Sequence, residues 1–231
     1  MYFYHSTEIW EQFPQLVPGL IVADGVKPRV DEQANLEPWF ARARESLGSG
    51  HESKISEISA WRQAYSQMGL KPSKYRSAAE ALLRRFKREN ELPRLHPLVD
   101  LCNAVSVAFT LPVAVFDLDR IDEYLEVCHA KGEEEYLSFS GETESPPPGE
   151  VVFRDAADHV HARRWTFRQS KLSTVGPETT RVLIVSEGLH GTASEDVAEL
   201  IEVLFREIVA LRASPRCKTI LSAENPRFDF D

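Results

Sequence analysis

HPLVDLCNAVSVAFTLPVAVFDLDRI, running from His96 to Ile121, contains a helix, a strand and the break between them. Leu98, Leu101, Cys102, Val105 and Phe109 recur at three- and four-residue steps, so the spacing predicts a helix over Leu95–Phe109. Asp100, Asn103 and Ser106 form a polar line on another face of it. His96, beside Pro97, reads as a helix-start residue. Thr110-Leu111-Pro112 ends the helix, and Val113–Phe116 reads as a short buried strand. Asp117 and Asp119 suit a turn and an N-cap. Cys102 sits in the apolar stripe and reads as a small core residue rather than a nucleophile.

Upstream, Met1–His5 and Leu20–Ala23 read as strands, bounded by Pro18-Gly19 and Asp24-Gly25. Glu37–Leu47 is a helix. Ile55, Ile58, Trp61, Ala64, Tyr65 and Met68 place an amphipathic helix over Glu52–Met68, stopped at Gly69. Ser77 followed three residues later by Glu80 is a capping box that opens a helix to about Lys87. Downstream, Tyr124–His129 and Tyr136–Phe139 read as a hairpin with Lys131-Gly132 at its turn, and Glu142–Gly149 as a linker or exposed loop. Val151–Phe153 and Arg181–Ser186 are strands. Val197 to Leu211 forms a long helix capped by Ser194, and Thr219–Leu221 is a last strand. Helices dominate about 1–110 and strands about 111–231, which makes the class α+β.

With 231 residues the chain is long enough for a substantial core. Its net charge of −9 excludes a generally basic nucleic-acid binder, but the charge is segregated. Lys71–Arg94 holds eight basic and three acidic residues, whereas Asp117–Glu150 holds eleven acidic and two basic ones. A local basic face can still steer an anionic partner. The three cysteines lack CxxC spacing, which argues against a disulfide framework. No run approaches the roughly 18 apolar residues of a membrane span. MYFYHSTEIW lacks the layout of a signal peptide. A soluble cytoplasmic protein is expected.

No GxxxxGK[ST], GxGxxG or GxSxG motif occurs. His159 and His161 fall on one face of a strand, without a third metal ligand nearby, and read as a surface pair. Neither a metal nor another cofactor is expected. What stands out is EVVFRDAADHVHARRWTFRQSKLSTVGPETT, Glu150 to Thr180, which sets Arg154, Arg163, Arg164, Arg168 and Lys171 around Trp165 and Phe167. Guanidiniums beside a planar ring suit phosphate and base contacts. A solvated strand with a cation–π pair explains the same residues. Lys74 and Arg76, before the helix opened by Ser77, are a second candidate phosphate site.

Taken together, the Val99-Asp100…Asn103 helix, the Leu-Pro turn, the Phe116-Asp117-Leu118-Asp119 strand exit and Arg163-Arg164-Trp165…Arg168-Gln169, leading through Thr179-Thr180 to a Val-Leu-Ile strand, resemble the tRNA synthetase B3/4 domain. That domain is best known as the editing module of the phenylalanyl-tRNA synthetase β subunit. The Trp61-Arg62…Tyr65…Gly69 helix and Ser77–Arg85 look like free-standing members of the family. The resemblance implies a single B3/4-type domain over 1–231, with a β-sandwich-like central core, flanking helices and a pocket between the two halves.

The resemblance further implies hydrolysis of the ester of a mischarged tRNA, in trans for a free-standing copy. The partner would be tRNA or aminoacyl-tRNA, with neither DNA nor a membrane. A non-catalytic aminoacyl-tRNA or amino-acid binding module is the alternative, and a small-molecule aminoacyl ester or amide hydrolase a second. Asn103 matches a pocket-lining asparagine, and Cys102 takes the neighbouring threonine position. Ala114 falls where the synthetase carries a pocket histidine. Lys171 falls near the glutamate that reads a tyrosine hydroxyl, and lysine cannot accept that hydrogen bond. Asn103 and Arg168 are the expected catalytic donors. Arg163, Arg164, Gln169, Lys171, Cys102 and Ala114 are expected to contact substrate; Arg163 and Arg164 alternate faces of a strand, so at most one of them faces the pocket and the other pairs with an acid such as Glu150 or Asp155. Lys74 and Arg76 are expected to contact tRNA, and Trp165 either stacks on a terminal adenine of it or lies in the core.

Overall fold

Two strands, Val17–Asp24 and Arg181–Gly188, pair antiparallel along their whole length and are apolar on both faces. Leu20 and Val22, with Leu183 and Val185, point into one core; Ile21 and Ala23, with Val182 and Ile184, point into the other. A strand covered on both sides loses the usual apolar–polar alternation, which is why these read as continuous apolar runs.

The computed structural model describes residues 1–26, 34–48 and 51–230. In chain order its elements are β1 (Tyr2–His5), α1 (Thr7–Gln12), β2 (Val17–Asp24), α2 (Glu37–Leu47), α3 (Ser56–Gln67), α4 (Ala78–Glu89), α5 (Pro97–Phe109), β3 (Val113–Asp117), β4 (Tyr124–His129), β5 (Glu135–Leu137), β6 (Thr143–Glu144), β7 (Val151–Arg154), β8 (His159–Arg163), β9 (Arg168–Gln169), β10 (Arg181–Gly188), α6 (Ala193–Ala210), β11 (Ser214–Ile220) and β12 (Arg227–Asp229). A four-stranded sheet runs β11-β2-β10-β3. An eight-stranded one runs β12-β1-β4-β7-β8-β5-β6, with β9 on β8. Helices α2, α4, α5 and α6 cover one face of the four-stranded sheet; the eight-stranded sheet with α1 and α3 covers the other. The class is α+β, with packed sheets and flanking helices. No helix among the described residues is long and apolar enough to cross a membrane.

Helix α6 lies unusually close to β2 and β10. A Cβ on Gly19 would stand 2.5 Å from Ile201 Cγ1, and one on Gly188 would stand 2.8 Å from Ala193 Cβ. Both glycines allow the close approach of helix to sheet.

Several expectations need correction. Tyr124–His129 and the following strand do not form a hairpin: β4 pairs with β1 and β7, while β5 pairs with β6 and β8. β6, a two-residue exposed strand, lies inside the segment expected to be a linker or exposed loop. The helix expected from Glu52 starts at Ser56, because Ile55 is extended and Glu52–Lys54 form a separate 3₁₀ turn. Ser194 lies inside α6, whose N-cap is Thr192. The short α1 and β12 carried too little periodicity to be read. In space the first and second halves of the chain interleave: β2 lies between β10 and β11, and β1 between β4 and β12, while the helices still gather in the first half and the strands in the second.

Candidate functional site

Helix α5 forms one wall of the site. The His96 ring Nδ1 accepts the Leu98 N–H at 3.2 Å and caps the helix. Thr110, in the left-handed region at φ 55°, ends it. Against α5 and β3 lies a cavity of about 490 Å³, closed on the far side by Gln169 and the Thr174–Pro177 segment. That volume is ordinary for a small-molecule site. Asn103 and Cys102 both border it, and the Asn103 amide makes no hydrogen bond to the described residues. Leu95 and Phe139, 71% and 59% exposed, stand at its edge. Among the described residues no aspartate, glutamate, lysine or arginine lines it.

A second, smaller cleft of about 70 Å³ adjoins it and shares Val113 and Gln169. Ala114, Arg168, Trp165 and Glu187 border this cleft. Gln169 donates its amide to Val115 O at 2.7 Å, which leaves its side-chain oxygen free as an acceptor. Asn103 and Arg168 therefore face two adjoining spaces, on either side of Gln169. Arg168 is exposed and lies over the Phe167 ring, without a carboxylate partner among the described residues.

β8 ends at Arg163, and Arg164 and Trp165 follow with φ 47° and 58°. Two bulky residues in the left-handed region cost on the order of 1–3 kcal/mol each. Packing offsets this: Trp165 is completely buried, edge-on to Phe13 at 4.8 Å and Trp61 at 5.1 Å. Its indole N–H donates to Glu187 Oε2 at 2.9 Å. Of the two readings of Trp165, contact with tRNA is thereby corrected and the core reading holds, since a completely buried ring offers no face to a base. The expected strand alternation of Arg163 and Arg164 fails because the turn comes between them. Arg163 donates to both oxygens of Glu150 and to Glu144, and borders neither cavity. Arg164 lies 4.7 Å over Tyr75, beside Glu150, and also borders neither. Exposed Lys171 lies outside both cavities as well. These three arginine and lysine side chains do not reach a ligand in the described spaces.

The basic Lys71–Arg94 segment is largely knitted inward. Buried Glu80 is met by Arg62 at 2.7 Å and Arg76 at 3.4 Å, and buried Glu52 by Arg84 and Lys87. Burial pushes the Glu80 carboxyl up despite these arginines. Arg76 also donates to Ser73 O, whereas exposed Lys74 stands 5.1 Å from the centre of the Tyr75 ring.

His159 and His161 are not a surface pair. His161 is buried and both rings face Asp155, which also accepts backbone N–H groups of Asp122, Ala157 and His159. Asp117 caps the turn as expected, accepting from Asp119 N and Thr179 Oγ1. One group, Glu57 with His190 and Asp196, holds metal-ligand atoms within 4.8 Å of one another. Asp196 there already accepts from His190 and Thr192. Burial pushes the Cys102 thiol far up, so it is no thiolate.

Two residues of the site escaped sequence reading. His96 showed only as a helix start, yet it borders the larger cavity, and burial lowers its basicity. With Nδ1 accepting from Leu98, Nε2 carries the proton; it is buried without a partner. Glu187 had one visible signal, an acid ending the apolar strand VLIVS.

The B3/4 domain model matches residues 60–201, more than half of the chain, and takes in α5, both cavities and the Trp165 turn. The chain belongs to the B3/4 domain family. Over 132 residues this B3/4 chain is 26% identical to the phenylalanine–tRNA ligase beta subunit of Cereibacter sphaeroides. The match covers 57% of the chain but only 14% of that subunit. An N-terminal fragment of the phenylalanyl-tRNA synthetase beta subunit from Pyrococcus horikoshii has the same fold, with a TM-score of 0.51 at 11% identity. That likeness covers 94% of this chain and 53% of the fragment.

Proposed function

We propose that this B3/4 protein is an aminoacyl-tRNA deacylase that hydrolyses the ester of a mischarged tRNA, acting in trans. The observation that carries the reading is the cavity of about 490 Å³ beside α5, uncharged along its lining and bordered by the unpaired amide of Asn103. An aminoacyl ester is already activated, so a positioned water and a donor for the developing oxyanion suffice. Asn103 is the donor in this scheme. Arg168, beyond Gln169 and without a carboxylate partner, meets the nucleotide end, and Lys74 a backbone phosphate further out. The aminoacyl side chain occupies the larger cavity, whose apolar lining favours an uncharged group.

Deacylation across a panel of mischarged tRNAs tests the proposal. At least one is expected to be turned over, and Asn103→Ala to slow it about 100-fold or more, as for loss of an oxyanion donor. A panel left intact overturns it.

A second reading, binding without hydrolysis, draws on Ala114 at the position where the resemblance calls for histidine and on the buried, protonated Cys102. Charged tRNA bound in a salt-dependent way, with no turnover, favours that reading.

A further inference from the structure

Glu187 is 2% exposed and closes β10 at the boundary of the smaller cleft. Oε1 lies 2.7 Å from His5 Nε2, and Oε2 accepts the Trp165 indole N–H at 2.9 Å. Each oxygen takes one of these contacts and keeps a further lone pair. Burying a carboxylate is costly unless it is paired, and among the described residues the one ion-pair partner of Glu187 is His5, which is charged only when its ring is protonated; no lysine or arginine joins it. The two contacts also fix its orientation. The Trp165 ring is locked by Phe13 and Trp61, and His5 sits edge-on to Trp10 at 5.3 Å.

The way to Glu187 exists because Ala114 is small. Ala114 stands opposite Val185 on the neighbouring strand, two residues before Glu187, and borders the same cleft. A larger side chain at 114 would project into a space of about 70 Å³, room for about two water-sized groups. Gln169 separates this cleft from the larger cavity and borders both.

We propose that Glu187 is a substrate-binding residue whose carboxylate receives the primary ammonium group of the ligand, with the cleft at Ala114 as the ammonium pocket. This inference rests on the aminoacyl reading of the site. An α-aminoacyl ligand then lies across Gln169, its side chain in the uncharged cavity and its ammonium in the cleft. The Gln169 side-chain oxygen, left free by the bond to Val115, is a second acceptor for the same ammonium. The cleft selects free α-amino acids over N-blocked ones, because an acyl group on nitrogen removes the charge and adds bulk that the cleft has no room for.

Equilibrium binding tests this with adenosine carrying a 3′-linked aminoacyl amide, which cannot be hydrolysed as an ester, with the α-amine either free or N-acetylated. The whole chain is used, with an apolar aminoacyl side chain. The wild type is expected to prefer the free amine at least 10-fold. Glu187→Gln keeps a hydrogen-bonding side chain of the same shape and is expected to reduce that preference to near unity. Ala114→Leu, which fills the cleft and leaves Glu187 untouched, should do the same. A role of Glu187 in packing alone would weaken both ligands equally and leave their ratio unchanged. Equal affinity of the wild type for the two ligands overturns the proposal while leaving the deacylase reading standing. Binding of neither ligand overturns both.

Discussion

The Trp165 indole N–H meets Glu187 Oε2 at 2.9 Å, joining the turn after β8 in one sheet to the end of β10 in the other. The same glutamate faces His5 of β1. A single carboxylate thus links three segments far apart in sequence, in the layer between the sheets.

Removing one donor from that carboxylate is therefore expensive. Trp165→Phe keeps an aromatic ring in the core but leaves Glu187 Oε2 without its donor. The expected cost is about 1–3 kcal/mol, beyond the smaller ring's packing loss. Urea unfolding of wild type and variant measures it, and a loss under about 0.5 kcal/mol contradicts the assigned bond, being no more than an ordinary surface change.

Gly19→Ala tests the contact between α6 and the four-stranded sheet. The added methyl would stand 2.5 Å from Ile201 Cγ1 and 2.7 Å from Val197 Cγ1. Such overpacking typically costs about 1–3 kcal/mol. Ile201→Ala in the same chain should restore part of the loss, giving a non-additive double-mutant cycle. Additive effects would place the strain elsewhere.

The acid limb of the stability curve should carry the mark of Asp155. Burial raises its carboxyl, but hydrogen bonds from His161 and from the His159 and Asp122 backbone outweigh that and lower it from 3.8 to about 2. A carboxyl lowered by folding stabilises the protein above its unfolded value, and that contribution is lost as pH falls through the folded one. The contribution is about 2 kcal/mol near neutrality. The stability gap between wild type and Asp155→Asn should accordingly shrink as pH falls from about 4 to 2. A gap that stays constant over that window refutes the assignment.

His96 separates a structural role from one in the site. His96→Asn retains a side-chain cap for Leu98 N–H, while His96→Ala removes it at a cost of about 0.5–2 kcal/mol. Burial lowers the His96 pKa, so its neutral form is the one favoured by folding. That contribution is complete above the unfolded value of about 6.5 and is lost as pH falls below it. Wild-type stability should drop more than that of His96→Asn between about pH 7 and 5, measured by thermal unfolding.

Arg168→Ala should leave stability within about 0.5 kcal/mol, because the side chain is exposed and has no ion pair. Affinity for charged tRNA should fall, and the slope of log K against log salt should lessen by about one phosphate contact. An unchanged slope removes Arg168 from the tRNA-facing surface.

Local signals read true where periodicity and capping agree. Helix α2 spans Glu37–Leu47 as its pattern indicated, Ser77 accepts from Glu80 N at the start of α4, and His96 caps α5. The stretch from His96 to Asp117 showed both its helix and its strand, and with them the cavity wall bearing Asn103 and Cys102. Pairing did not read as well. Neighbouring strands suggested a hairpin at Lys131-Gly132, yet Glu134 accepts the N–H groups of Lys131 and Gly132 and the chain moves on to another strand.

The sequence by itself determined the five longer helices, the apolar strands, the family resemblance and the residue types beside α5, because those are set by residues a few positions apart along the chain. Only the tertiary structure decided what Arg163, Trp165 and Glu187 do. Arg163 could face a pocket or pair with an acid, and Trp165 could stack on a base or join the core; Arg163 meets Glu150 and Glu144, and Trp165 lies inside the core. Glu187 looked like the end of a strand and borders a cleft. A charge or a ring is solvated, paired or buried according to what long-range packing sets against it, and that packing has no local period to read.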